Sequence, residues 1–314
     1  MLGTRYPDLS IEEGILEPLG AQIVAGDGSS SDAIVEQAAD AEVVLAGSTP
    51  RFDAPTLERL RARGIVRYGV GTESIDLPAA SERGMWVAYV PDYGTEAVAV
   101  HALALALAGV RRLIAADRNV RAGNWGFADI RPLHLPSAMT AAVVGLGRIG
   151  RKVAELFGAV GFSVRGHDPF VHEFPNSIKA VSLGEALACD VVSLHVPGSS
   201  DGTPLIGAAE LASMSSGSVL VNTSRGSLID QNALIEGLRA GAPAVAALDV
   251  FASEPPDPQA FAGVEYRMIF SPHMAWYSEE SEIDLRTKAA HEAARLLRGE
   301  TPANPVAWPR ESSP

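Results

Sequence analysis

The stretch TAAVVGLGRIGRKVAELFGAVGFSVRGHDP constrains this chain more than any other. Gly145, Gly147 and Gly150 form G-x-G-x-x-G between an apolar run that reads as a strand and an amphipathic run that reads as a helix. A second β-like run then ends at Asp168, 18 positions past Gly150. Each glycine has a physical reason. Gly145 permits a tight turn, Gly147 lets the backbone come close to a pyrophosphate, and Gly150 lets helix and strand pack together. The helix N-terminus, at Leu146, Arg148 and Ile149, offers N–H groups and a positive dipole end to phosphates. Asp168 can accept hydrogen bonds from both ribose hydroxyls and would repel a 2′-phosphate. The expected cofactor is therefore NAD rather than NADP.

Around this segment, β-like and helical runs alternate, which predicts parallel sheets flanked by helices. Early runs are AQIVAG (strand), SDAIVEQAADA (helix, capped by Ser31 or Asp32), AEVVLAG (strand), TLERLRARG (helix), IVRYGVG (strand) and MWVAYVP (strand). A single helix is expected over residues 95–119, then a Pro-rich crossing. After the fingerprint come LGEALAC, DVVSLHV, SVLVNTS, DQNALIEGLRAG, VAALDVF and YRMIFSPH, and a long final helix. The expected fold is α/β, with two Rossmann-like or flavodoxin-like doubly wound parallel-sheet domains and a cleft between them. Residues 1–93 plus 286–314 would bind substrate and residues 94–285 would bind NAD.

Composition excludes several roles. The 314 residues carry a formal net charge of -13, with lysine only at Lys152, Lys179 and Lys288, so no basic face for nucleic acid or an anionic membrane is expected. The longest apolar run, AVAVHALALALAGV, is too short to span a bilayer and carries His101; a buried helix is the better reading. No signal peptide is visible, which predicts a cytoplasmic protein. The single cysteine, Cys189, rules out an internal disulfide and reads as a buried small residue. The seven histidines show no paired ligand spacing, so no metal is expected.

Three segments at predicted strand ends carry chemistry: VNTSRGSLID, LDVFASEPP and SPHMAWYS. Strand carboxyl ends face the ligand crevice of doubly wound sheets. Reducing a keto acid needs a cation on the carboxylate and carbonyl, and Arg225 offers a planar, always charged fork. It also needs a proton donor near neutral pH, which His273 can supply. A carboxylate such as Glu254 would orient that imidazole. Taken singly, Arg225 suits a strand-end cap equally well, Glu254 a solvated loop, and His273 a structural role. Their joint occurrence after the fingerprint is far more specific. His195, at another strand end, reads as structural or as adjacent to cofactor.

On the motifs VGLGRIG, VNTSRGSLID, ALDVFASEP and SPHMAWYSEES, the chain resembles the D-isomer-specific 2-hydroxyacid dehydrogenase family over nearly its whole length. Ala275-Trp276-Tyr277-Ser278 is most similar to the branch that holds the C-terminal-binding proteins. The resemblance implies Arg225 at the substrate carboxylate and carbonyl, His273 as acid/base and Glu254 as its partner. It implies the N–H groups of Val70 and Gly71, with Arg67, on the substrate, and Trp276 in its pocket. Thr223 and Asp249 would sit near the nicotinamide, residues 196–199, including Val196 and Pro197, under the adenine and ribose, and Ser224 is a further cofactor-binding residue. A homodimer built on the helix near residues 97–119 is the implied assembly. Three departures from the family pattern stand out: Val100 replaces the usual acidic residue of V-A-[DE]-H, only MLGTR precedes YPDLS where a first strand is usual, and PLHLPSAMTAA lacks the usual glycines. Two other readings stay open: an NAD(H)-sensing corepressor-like interaction protein, and a dehydrogenase acting on a phosphonate or phosphite.

Overall fold

A computed structural model describes residues 1–4, 6, 8–199 and 201–309. The described strands are β1 (Val43–Ala46), β2 (Gly64–Arg67), β3 (Trp86–Tyr89), β4 (Thr140–Val144), β5 (Ser163–His167), β6 (Lys179–Ala180), β7 (Val191–Leu194), β8 (Val219–Asn222), β9 (Val245–Leu248), β10 (Met268–Phe270) and β11 (Pro305–Ala307). The chain divides into two compact units, one of Met1–Gly94 with Ser278–Pro314 and one of Thr95–Tyr277. The expected break at 285/286 falls inside the helix Glu279–Leu297. A helix buries its apolar stripe as a unit, and this one packs on β1 and β2, so the chain changes unit at its Ser278 N-cap instead.

The larger unit is a seven-stranded parallel sheet in the order β10-β9-β8-β7-β4-β5-β6. From β4 the chain runs outward through β5 and β6, then returns to β7 on the other side of β4. That reversal is where doubly wound sheets open a ligand crevice. Both faces of the sheet are covered, which is why its strands are continuous apolar runs. Alternation decides the face. Ala142 and Val144 pack with the helices Leu183–Leu187, Ala208–Ser213 and Gln231–Ala240, while Ala141 and Val143 pack with Thr95–Val110 and Arg148–Ala159. Cys189 is fully buried in the first of these layers.

The helix expected over residues 95–119 is two helices, Thr95–Val110 and Leu113–Arg121, bent by 60°. Arg112 sits at φ 52, a left-handed conformation that ends the first helix. Neither half, nor any other single helix among the described residues, is long and apolar enough to cross a membrane. The first half lies close on the sheet, where a Cβ on Gly109 would come within 2.6 Å of the Val219 side chain.

The smaller unit has the order β1-β2-β3-β11, with β1, β2 and β3 parallel and β11 antiparallel to β3. This antiparallel edge departs from the expected all-parallel sheet. AQIVAG is not a strand: only Gly26 bridges, to Leu2, and Leu2 also bridges Ala46. Most of that segment's side chains are exposed or half-buried, so no apolar face holds it in a ladder. Helix Ser31–Ala38 is capped by Ser30, one residue before the expected caps, through its hydroxyl to the Ala33 N–H.

A buried polar cluster ties the smaller unit together. Glu12 is completely buried and accepts Arg286 Nη2 at 2.7 Å and Nε at 3.0 Å. The Tyr68 hydroxyl donates to the same carboxylate at 3.0 Å, and the Arg286 guanidinium lies 4.5 Å from the Tyr6 ring centre. Burial pushes both tyrosine hydroxyls well above their ordinary range. Tyr68 follows Arg67 at the end of β2, so the cluster braces the start of the RYGVG turn.

Candidate functional site

The fingerprint turn joins β4 to the helix Arg148–Ala159 as expected. Gly145 has φ +91, and a Cβ there would come within 2.4 Å of the His195 carbonyl oxygen, at the end of β7. A Cβ on Gly150 would come within 1.9 Å of the Gly145 oxygen. At Gly147, by contrast, a Cβ would meet nothing within 4 Å. Gly147 is also the helix N-cap, with no side chain capping the first-turn N–H groups of Arg148, Ile149 and Gly150. An open approach to uncapped N–H groups on a 12-residue helix suits a phosphate.

Asp168 follows β5 and is half-buried. Its Oδ2 accepts from the Leu146 N–H at 2.8 Å and its Oδ1 from the Phe170 N–H at 2.9 Å. These bonds fix the carboxylate against the fingerprint turn. Each oxygen keeps a second lone pair, enough for two hydroxyl donors. Further polar groups at the same sheet end are not fully satisfied by the described residues. His195 Nε2 lies 2.7 Å from Ser193 Oγ, while its Nδ1 is buried without a partner among the described residues; so is the Thr223 hydroxyl. Burial pushes the His195 imidazole down to about 3, so it is neutral at physiological pH. Buried orphan polar atoms beside β7 and β8 are what a bound nucleotide would satisfy. Val196 and Pro197 run on from His195, half-buried and exposed respectively. The residues present therefore fit a dinucleotide.

His273 and Glu254, expected to pair, are in contact. His273 Nδ1 lies 2.7 Å from Glu254 Oε2. Glu254 Oε1 accepts the Phe251 N–H at 3.0 Å, which fixes the carboxylate from behind. Both side chains are partly open to solvent, 49% for His273 and 37% for Glu254. His273 has φ 52, one of two positive-φ non-glycine residues among those described. Such conformations persist only where the surroundings over-determine them.

Those surroundings centre on Asp249. Its carboxylate is buried and accepts Ser271 Oγ at 2.6 Å, the Met274 N–H at 3.0 Å and the Ala275 N–H at 2.9 Å. Its backbone carbonyl accepts the His273 N–H at 2.8 Å. Asp249 thus holds the histidine loop from within the protein. His101 joins this network, with Nε2 2.9 Å from Ser271 Oγ and 3.6 Å from Asp249 Oδ1. Sequence reasoning passed over His101; the signal was a lone imidazole inside an otherwise apolar helical run.

Arg225 is half-buried on the loop after β8. Asn222, fully buried, shapes that loop by donating to the Arg225 carbonyl at 2.8 Å and accepting the Ser224 N–H at 3.0 Å. Ser224 Oγ donates to the Leu194 carbonyl at 2.7 Å. A Cβ on Gly226 would come within 1.9 Å of the Phe251 carbonyl carbon, so only glycine lets the Arg225 loop lie against the loop that carries Glu254. Trp276 is half-buried and stacks edge-on against Tyr277, ring centres 5.6 Å apart. In the smaller unit, Arg67 is buried and donates to the Tyr68 carbonyl. Gly69 begins the following turn at φ +127, Val70 is 44% exposed and Gly71 half-buried.

Comparison with known proteins gives the family. Residues 103–275 match the family model described as D-isomer specific 2-hydroxyacid dehydrogenase, NAD binding domain. The chain is 34% identical over 285 residues to a glyoxylate reductase of Korarchaeum cryptofilum, covering 88% of this chain and 86% of that protein. It is 32% identical over 295 residues to a D-3-phosphoglycerate dehydrogenase of Archaeoglobus fulgidus, covering 92% of this chain. The chain spans little more than half, 56%, of that relative's length. Among solved structures, D-lactate dehydrogenase from Aquifex aeolicus, complexed with NAD and lactic acid, superposes with a TM-score of 0.89 at 25% identity over 98% of each chain. The TT0316 protein from Thermus thermophilus gives 0.88 at 31% identity, over 98% of this chain and 99% of that one. The chain belongs to the D-isomer-specific 2-hydroxyacid dehydrogenase family, and the unit Thr95–Tyr277 contains its NAD-binding domain.

Proposed function

We propose that the chain is an NAD-dependent oxidoreductase that interconverts a small D-2-hydroxy acid and its 2-keto acid. The observation that carries this reading is the His273–Glu254 pair at 2.7 Å. A carboxylate can only accept, so Nδ1 carries the proton between them and the ring's acid–base chemistry falls to Nε2. The imidazolium donates from Nε2 to the carbonyl oxygen as it becomes a hydroxyl, and the neutral ring takes the proton back in the reverse direction. NAD, when bound, supplies the hydride donor or acceptor. Gly147 and the first-turn N–H groups of Arg148, Ile149 and Gly150 hold its pyrophosphate, and Asp168 holds its ribose. His195, Val196, Pro197, Thr223 and Ser224 line the remainder of that site, while Asp249, whose carboxylate is buried, acts there through the 271–275 loop that it holds. Arg225 binds the substrate carboxylate and polarises the carbonyl; in the smaller unit, Arg67 and the N–H groups of Val70 and Gly71 are substrate-binding groups. The likeness of residues 275–278 to the C-terminal-binding-protein branch supports Trp276 as a pocket wall.

Glyoxylate is the first substrate to try, because the relative matched over 86% of its own length is a glyoxylate reductase. The protein works as a cytoplasmic homodimer. The exposed apolar residues Leu113, Val120, Trp125, Phe127 and Leu135 support an interface at the bent helix pair and the chain that follows. The test is NADH oxidation against a panel of 2-keto acids that begins with glyoxylate and 3-phosphohydroxypyruvate. Turnover of at least one member is expected. Binding of NADH with no turnover across the panel would remove the dehydrogenase reading.

A further inference from the structure

Helix Thr95–Val110 is apolar after its first turn except for His101, whose side chain is only 22% exposed. Burying an imidazole there is costly unless it is hydrogen-bonded. Its partner is Ser271 Oγ, at 2.9 Å. Ser271 has a single hydroxyl proton, and the neighbouring Asp249 Oδ1 at 2.6 Å can only accept it. The Ser271 oxygen must therefore accept from His101, which places a proton on His101 Nε2. The chain of donors then runs one way: His101 Nε2–H to Ser271, and Ser271 O–H to Asp249.

Asp249 is where this chain meets the chemistry. The same carboxylate takes the Met274 and Ala275 N–H groups, and its backbone carbonyl takes the N–H of His273 at φ 52. A carboxylate with a free rotor could serve those amides in several orientations. One whose Oδ1 is fixed by Ser271 serves them in one. We propose that His101 is a positioning residue: through Ser271 and Asp249 it ties the helix to the 271–275 loop and sets the direction of the His273 imidazole. The catalytic part of this proposal rests on the dehydrogenase reading, but the positioning part does not.

The experiment compares His101→Ala, His101→Gln and Ser271→Ala with the wild-type protein by amide hydrogen exchange and steady-state kinetics. Exchange at Met274 and Ala275 should speed up about tenfold in the two alanine variants, as expected from weakening one hydrogen bond of the network. Exchange across β4 and β7 should not change. With a 2-keto acid substrate, kcat should fall about tenfold and KM for NADH should move less than about threefold, the mark of an effect on the chemical step rather than on cofactor binding. His101→Gln, which keeps a side-chain N–H donor, should recover most of both. Unchanged exchange at 274 and 275 in the alanine variants overturns the proposal. So does a loss of thermal stability spread over the whole unit with kcat intact. Wild-type protein that turns over no 2-keto acid would sink the functional reading alone, and the exchange comparison would still decide this one.

Discussion

Two carboxylates in this molecule pair with nitrogen bases to opposite ends. Glu12–Arg286 lies in the core of the smaller unit, with both side chains 5% exposed or less, and a tyrosine hydroxyl and an aromatic face close the remaining sides. Glu254–His273 lies at the sheet edge of the larger unit, partly open to solvent, with one carboxylate oxygen tied to a backbone N–H. The first pair cannot exchange a proton with anything outside and holds a guanidinium that stays charged. The second holds a titratable ring whose far nitrogen can meet a substrate. On the proposed reading, burial and the choice of nitrogen base separate a pair that stabilises from a pair that works.

The contrast can be broken most forcefully at the buried end. Arg286→Met leaves Glu12 as an uncompensated buried charge and should cost about 3–5 kcal/mol in denaturant unfolding. Glu12→Gln combined with Arg286→Met should recover part of that. A loss below about 1 kcal/mol would place the pair among ordinary surface contacts. At the working end, Glu254→Gln should leave unfolding within about 0.5 kcal/mol of wild type. It should lower kcat about 100-fold through misorientation of the imidazole. The reverse pattern, lost stability with kcat retained, would exchange the two roles.

Two smaller tests sharpen the account of the nucleotide site. Asp168→Ala should weaken NADH binding about tenfold while changing NADPH binding little, since it removes charge-assisted hydrogen bonds to the ribose. An unchanged ratio measured by fluorescence titration would remove Asp168 from that role. His195 titrates near 3 in the fold against 6.5 when unfolded, so between those pH values the unfolded chain binds more protons and stability falls as pH falls. His195→Asn should flatten that acid slope. A slope identical to wild type would mean that another group sets it.

The sequence disclosed the larger unit better than the smaller one, for physical reasons. Strands covered on both faces, such as TAAVV and DVVSLHV, are apolar throughout and bounded by turns, and the glycine fingerprint fixes what lies between them. In the smaller unit, AQIVAG has a strand's residues but lacks a face to bury, and PVA at 305–307 has a proline and too few residues to show alternation. The break at Arg112 was hidden because an arginine in left-handed conformation leaves no composition signal. Arg225, Glu254 and His273 were legible as three loops after three strands. The Asp249–Ser271–His101 network behind them was not, because its members lie on three separate elements and carry no spacing motif.

The most direct test of the central claim is kcat for NADH oxidation by glyoxylate, or by the best keto acid of the panel, in His273→Asn. Asparagine accepts the positive φ that His273 holds, so the loop survives while the proton donor is lost. A fall in kcat of at least about 100-fold, with NADH affinity within about threefold of wild type, is the predicted result. Retention of a third or more of wild-type kcat would contradict the assignment of His273 as the acid–base group.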